Sequence, residues 1–175
     1  MEQIKIQPIT SDDFDENIKL HNQEISHSHW MARKRPISRE EMRNFLDFLH
    51  DQPDSIYLVA KYEDQLVGNI YALPRTEDLL NHISLLSYQV HPEYQRRGIG
   101  TLLMESLLQK IRDENSNIQI LFAEVLQENI ASIKLLKKFS FSPAGILPEG
   151  VRISPQQYDN LLFFYRRIEV TFKRN

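Results

Sequence analysis

Cysteine is absent from the 175 residues. That excludes a disulfide framework, a thiolate metal site and a cysteine nucleophile with its acyl-enzyme intermediate. Glycine is scarce: there are five, yet Gly98 and Gly100 stand two apart. No apolar run approaches the ~20 residues a membrane helix needs. The opening Met1-Glu2-Gln3-Ile4-Lys5 has no basic-then-apolar leader pattern. Neither sign of charge dominates, because 21 Lys and Arg against 24 Asp and Glu leave −3, which argues against a dedicated nucleic-acid binder. What remains, 41% hydrophobic and 26% charged, is the composition of a soluble globular protein. The expectation is one domain over residues 1–175, cytoplasmic, with neither nucleic acid nor membrane as partner.

The hydrophobic pattern divides the chain into alternating elements. Ile4 to Ile9 reads as a strand, and Thr10-Ser11-Asp12-Asp13 opens a helix running to about Glu24. Ser38 with Glu41 three residues on forms a capping box, ahead of a stripe of Met42, Phe45, Leu46 and Leu49. Ile56–Ala60 and Leu66–Leu73 read as strands joined by a hairpin turn. From Ile83 the order becomes strand (to Val90), helix (Gly98 to about Arg112), strand (Ile118–Leu126), helix (Asn129–Phe139) and a last strand around Leu161–Tyr165. The first helix of that series should bury Ile99, Leu102, Leu103, Leu107 and Ile111. Pro143 to Asp159 reads as a loop or a hairpin. An antiparallel first half followed by a βαβ unit predicts an α/β fold with a mixed sheet and helices on its faces.

The segment with most chemistry in it is Val90-His91-Pro92-Glu93-Tyr94-Gln95-Arg96-Arg97-Gly98-Ile99-Gly100-Thr101. A strand ends, a turn follows, and a helix begins at the glycines. The first amides of a helix lack internal partners, and its dipole favours an anion there. Arg96 and Arg97 add charge-assisted donors. This is a place to hold a phosphate or pyrophosphate. The third glycine of a dinucleotide fingerprint is missing (Leu103 stands there), and so is the Gly-Lys-Ser/Thr of a nucleotide-triphosphate loop. A glycine-broken turn with two solvated arginines is the plain alternative.

Gln95-Arg96-Arg97-Gly98-Ile99-Gly100, after an apolar strand and a Val-x-Pro turn, closely resembles motif A of the GCN5-related N-acetyltransferases. Asn129-Ile130-Ala131-Ser132-Ile133-Lys134-Leu135-Leu136 followed by Phe139-Ser140-Phe141 resembles motif B of the same family. The resemblance implies a mixed, mostly antiparallel central sheet flanked by helices, splayed between two central parallel strands to admit acetyl-CoA. It assigns the backbone of Tyr88, Gln89 and Val90 to the pantetheine arm and acetyl group. The amides of Arg96, Arg97, Gly98, Ile99, Gly100 and Thr101 would cradle the pyrophosphate, and Asn129 would bond the pantetheine arm. In the strand itself, apolar residues change parity between Leu85 and Leu86. A β-bulge with freed amides for an oxyanion, or a strand buried on both faces, would each produce that pattern.

An alkylamine acceptor is protonated near neutral pH, so a base is useful. Glu124 shares strand parity with Ile120 and Phe122, and the family resemblance places a catalytic glutamate at this offset before the motif B asparagine. Partial burial would raise its pKa; a solvated position at the strand end is the plain alternative. One position departs from the family. Leu136 stands where many members carry the tyrosine that protonates the departing thiolate; Tyr88 and Ser132 are the substitutes at hand.

His27-Ser28-His29-Trp30 is a weak metal-ligand set without cysteine or paired carboxylates, and no metal is expected. By the family resemblance, Trp30 and these histidines border the acceptor site. The resemblance as a whole implies a single N-acetyltransferase domain that moves an acetyl group from acetyl-CoA directly to a primary amine, small or protein-borne. The alternatives are an acyl-CoA-binding sensor with little catalysis, and an acyltransferase that uses a longer acyl-CoA. A homodimer is left open.

Overall fold

The computed structural model describes residues 4–27, 33–114 and 116–169, with the backbone alone at His27. Strand β1 (Lys5–Pro8) is followed by a 3₁₀ turn (Ser11–Asp13) and helix α1 (Phe14–His27). At that turn Asp13 Oδ2 accepts from both the Thr10 amide (2.9 Å) and the Thr10 hydroxyl (3.0 Å), so the acid caps the threonine. Helix α2 (Arg39–Asp51) starts at the capping box read from the sequence: the Glu41 amide donates to Ser38 Oγ at 3.1 Å, and the Ser38 amide donates to Glu41 Oε2 at 3.0 Å.

Strands β2 (Ile56–Tyr62), β3 (Gln65–Pro74) and β4 (Ile83–Val90) run antiparallel in sequence. Helix α3 (Ile99–Asp113) then leads to β5 (Ile120–Leu126), and helix α4 (Ile130–Lys138) to the hairpin of β6 (Ser142–Ser154) and β7 (Gln157–Arg167). The result is an α/β fold around a seven-stranded sheet ordered β1-β2-β3-β4-β5-β7-β6, antiparallel except for β4 against β5. None of the described helices is long and apolar enough to cross a membrane.

Side chains on successive strand residues point to opposite faces. On one face Ile56, Leu58, Ala60, Ile70, Ala72 and Leu86 pack against Ile99, Leu103, Leu107 and Ile111 of α3. On the other, Val59, Leu66 and Tyr57 meet Leu20 of α1. The expected α3 stripe needs one correction. Leu102 is exposed, while Met104 and Leu108 are buried. At 100° per residue Leu102 falls on the flank opposite the centre of the row formed by 99, 103, 107 and 111.

Pro143–Asp159 belongs to a hairpin rather than a loop. Its outer strand is interrupted by register shifts between Pro143 and Gly145, Leu147 and Val151, and Arg152 and Ser154. Such shifts erase the period-two signal, and an edge strand tolerates prolines that cannot donate to a ladder.

Candidate functional site

The sheet opens where its two parallel strands meet. β4 and β5 pair only at Ile83↔Ile120, Ser84↔Leu121 and Leu85↔Phe122. Beyond those pairs β4 stays with β3 as far as Val90↔Gly68, and β5 stays with β7 as far as Leu126↔Leu161. The edges of Leu86–Val90 and Ala123–Leu126 therefore part. Neither expectation for the parity change holds: β4 has no register shift against β3, and Leu85 is 37% exposed, so it is not buried on both faces. The parity change marks the residue at which β4 loses its second neighbour. Of the three residues expected to meet the cofactor arm, Tyr88 and Val90 turn their amides to the opening, whereas Gln89 turns its amide to β3.

The chain then turns into α3 through two left-handed residues. Arg96 has φ +62° and Gly98 has φ +85°, ψ 0°. A non-glycine side chain costs energy in that region, and a Cβ added to Gly98 would meet nothing within 4 Å. Gly98 is thus required by its conformation and faces open space. The first hydrogen bond of α3 runs from the Leu102 amide to the Gly98 carbonyl (3.0 Å), leaving the amides of Ile99, Gly100 and Thr101 ahead of it. Gly100 is under a milder constraint: a Cβ there would lie 3.3 Å from Leu135 Cδ2, a side-chain methyl between α3 and α4.

Arg96 is exposed, and the Arg97 guanidinium lies 5.0 Å from the Tyr94 ring centre, a cation–π placement at the rim of the turn. A third cation was not legible in the sequence. Lys138 Nζ, in the last turn of α4, donates to Thr101 Oγ1 at 3.2 Å. Nothing local at Lys138 distinguishes it from the other lysines of that helix. The site has free helix amides, a turn with two left-handed residues, and three cations, and its chemistry suits a polyphosphate group.

Gln95 ties this turn to the rest of the site. Its Nε2 donates to the Val90 carbonyl (3.1 Å) and to Glu24 Oε1 (3.2 Å), linking α1 to the end of β4. Across the opening, the Tyr88 hydroxyl meets Ser132 Oγ at 2.6 Å, joining the two groups considered as proton donors. Burial, only partly offset by that bond, pushes the Tyr88 hydroxyl up to about 12. Asn129 Oδ1 accepts from the Ser132 amide (3.1 Å) and caps α4, so its Nδ2 is the end available to a ligand. Leu136 is fully buried in the core beside α3.

Glu124 is exposed, in contrast to the partial burial expected of it. Alternation turns Leu121, Ala123 and Val125 into the core and sends Glu124 to the face of Phe122, beyond the cover of α1 and α2. There it stands opposite Phe163, whose ring stacks on Phe122 with centroids 5.7 Å apart. A buried polar cluster joins α1 to β2 and β3. Asn17 Nδ2 donates to the Tyr57 hydroxyl at 2.8 Å, and Asn69 Nδ2 donates to Asn17 Oδ1 at 2.7 Å.

The residues 28–30 of the His27–Trp30 reading lie outside the described residues, as does the His27 side chain. Among the described residues no group of three His, Asp or Glu side chains is placed to hold a metal ion. A cleft of about 770 Å³ lies elsewhere, between the C-terminal half of α3, Phe139 and Arg166, and contains none of the site residues above.

Comparison with known proteins agrees with this geometry. The chain is 33% identical over 79 residues to the ribosomal protein bS18-alanine N-acetyltransferase of Escherichia coli (strain K12), covering 45% of this chain and 52% of that protein. It thus spans about half the length of the curated relatives it matches. The ribosomal-protein-alanine N-acetyltransferase of Brucella melitensis superposes with a TM-score of 0.85 at 24% identity, over 93% of this chain and 99% of that one. A phosphinothricin acetyltransferase of Sinorhizobium meliloti, solved in complex with acetyl-CoA, gives 0.87 at 17% identity, over 100% and 93%. The model of the acetyltransferase (GNAT) family matches residues 22–141, from within α1 through the opened strands to the end of motif B, and the chain belongs to that family.

Proposed function

We propose that the protein is an N-acetyltransferase that moves the acetyl group of acetyl-CoA to a primary amine. The observation that carries this reading is the coincidence of an opened parallel strand pair with an anion cradle at the end of the same strand. The cofactor fits the residues present. The amides of Ile99, Gly100 and Thr101, with Arg96, Arg97 and Lys138, suit a pyrophosphate, and Asn129 Nδ2 suits an amide carbonyl of the arm. Acetyl-CoA supplies an acetyl group activated as a thioester.

Within the chain, the unpaired edge of β4 orients the acyl group and offers amides to its carbonyl oxygen. Glu124 takes the proton that the acceptor ammonium must lose before its nitrogen can attack. The Tyr88 hydroxyl, held by Ser132, keeps its proton and donates a hydrogen bond towards the departing sulfur. A phenol pushed up to about 12 is a weak acid, so it stabilises a thiolate more readily than it protonates one. The alternative of an acyl-CoA sensor draws on the same two observations, buried Leu136 and that reluctant phenol.

Titration calorimetry with acetyl-CoA, together with CoA release across n-butylamine, spermidine and an alanine-initiated peptide, separates the readings. Binding with turnover on at least one amine supports the transferase. Binding without turnover on any of them favours the sensor, and no binding refutes both. Faster release from butyryl-CoA than from acetyl-CoA would instead identify a longer acyl donor.

A further inference from the structure

Two buried polar atoms on the α1 side of β4 have no hydrogen-bond partner: Nε2 of His21 and Oε1 of Gln89. Their neighbours are joined between α1 and the sheet. Asn69 pairs with Gln89 across β3 and β4, so the two side chains share a face, and Asn69 reaches Asn17 of α1 at 2.7 Å. Two turns along α1, Glu24 reaches Gln95, which also holds the carbonyl of Val90, the residue after Gln89. His21 lies between Asn17 and Glu24 on the same helix stripe, as Gln89 lies between Asn69 and Val90 on the sheet. Both residues are half-buried rather than sealed.

The two atoms are matched in kind. Burial, with the Arg33 charge adding to it, lowers the His21 pKa, and the ring is neutral at pH 7. Arg33, the charge acting on it, is itself paired with Glu41 at 2.5 Å. With its proton on Nδ1 the ring presents a lone pair at Nε2, and Gln89 Oε1 presents another. A primary amine that has lost one proton has two N–H bonds and one lone pair. Two acceptors take the two N–H bonds and leave the lone pair for the acyl carbon. A secondary amine has one N–H and leaves one of the acceptors unpaired, a poorer fit in a buried site.

We propose that His21 Nε2 and Gln89 Oε1 hold the two N–H bonds of the acceptor, making the site selective for unsubstituted primary amines. This rests on the amine-acetylation reading and adds positioning residues to it. The test uses the full chain with acetyl-CoA, n-butylamine and N-methylbutylamine. The expected result is at least ~10-fold higher kcat/KM for the primary amine, about 1.4 kcal/mol. His21→Leu and Gln89→Leu should each raise KM for n-butylamine ~10-fold while kcat moves less than about threefold, and shrink the primary-to-secondary ratio; His21→Gln, which restores an acceptor, should recover most of it. Variants that keep the wild-type KM and ratio overturn the proposal. A second measurement covers the remaining cases, an unfolded variant or a wild type that releases no CoA with either amine. It is the ¹⁵N shift of His21 Nε2 in the wild-type protein titrated with n-butylamine in the presence of CoA. A saturable shift, absent with N-methylbutylamine, supports the amine site even if acetylation fails; no shift overturns it.

Discussion

Gly98→Ala tests the cradle at its most constrained atom. Gly98 sits at φ +85°, and an added Cβ meets nothing within 4 Å, so the substitution creates no clash and gains no contact. The cost to folding is then the left-handed backbone alone, about 1–2 kcal/mol for an L-residue. For a chain of this length each kcal/mol shifts Tm by roughly 2–4 °C, so the melt should fall by about 2–8 °C. In the proposed cradle, that open space is where a phosphate approaches the amides of Ile99 to Thr101. Acetyl-CoA affinity should therefore fall by at least ~10-fold, or about 1.4 kcal/mol. Gly98→Asn separates the two effects. Asparagine tolerates the left-handed region and should recover much of the stability, yet its larger side chain should leave affinity as low or lower. Thermal melts with calorimetric acetyl-CoA titrations read both quantities. A Gly98→Ala protein with unchanged Tm, or a Gly98→Asn protein that binds acetyl-CoA like the wild type, would refute the reasoning.

Gly100→Asp should weaken acetyl-CoA by more than ~10-fold through charge, whereas Gly100→Ala should cost little because the Leu135 methyl it meets at 3.3 Å can yield. Glu124→Gln should lower kcat by ~10²–10⁴-fold in steady-state CoA release, the range of general-base catalysis, with the acetyl-CoA Kd unchanged. Asp13 is fully buried and paired with Lys61. Burial alone would raise its carboxyl, but the Lys61 and Thr10 bonds outweigh it and the net shift is downward. The pair's stabilisation is thus complete above the unfolded pKa near 3.8 and is lost as pH falls through the lower folded value. Lys61, raised by Asp13, keeps its share at neutral pH and loses it only above its ordinary value of 10.5. Melts from pH 2 to 7 should show Asp13→Asn less stable than the wild type at pH 7, with the gap closing in acid; a constant gap would count against the pairing.

Much of the site was legible because it is built from local signals. Gln95–Gly100 and the motif B run need only their neighbours in sequence to form a turn, a left-handed residue and a capped helix, and Asn129 and Ser38 cap as their side chains suggest. The opening between β4 and β5 was expected from the family resemblance, but the strand's own pattern showed it only as a parity change at Leu85, since a strand does not record where its neighbour departs. Glu124 has the right parity but the wrong depth: alternation assigns a face, and whether a helix covers that face depends on α1 and α2. Lys138 and Thr101 stand 37 residues apart, and Glu24 and Gln95 stand 71 apart. No periodicity connects such pairs.

From the sequence alone came the order of elements, the phosphate-like turn, the family resemblance and the absence of any cysteine route for the acyl group. These follow from short-range sterics, caps and hydrophobic period, which act within a few residues. Only the tertiary structure decided that Gly98 serves conformation while a methyl at Gly100 would meet the Leu135 side chain, that Tyr88 and Ser132 join across the opening, and that His21 and Gln89 each keep a buried polar atom without a partner. Those outcomes depend on which surfaces meet when the sheet closes under its helices, and that is set by the packing of the whole chain.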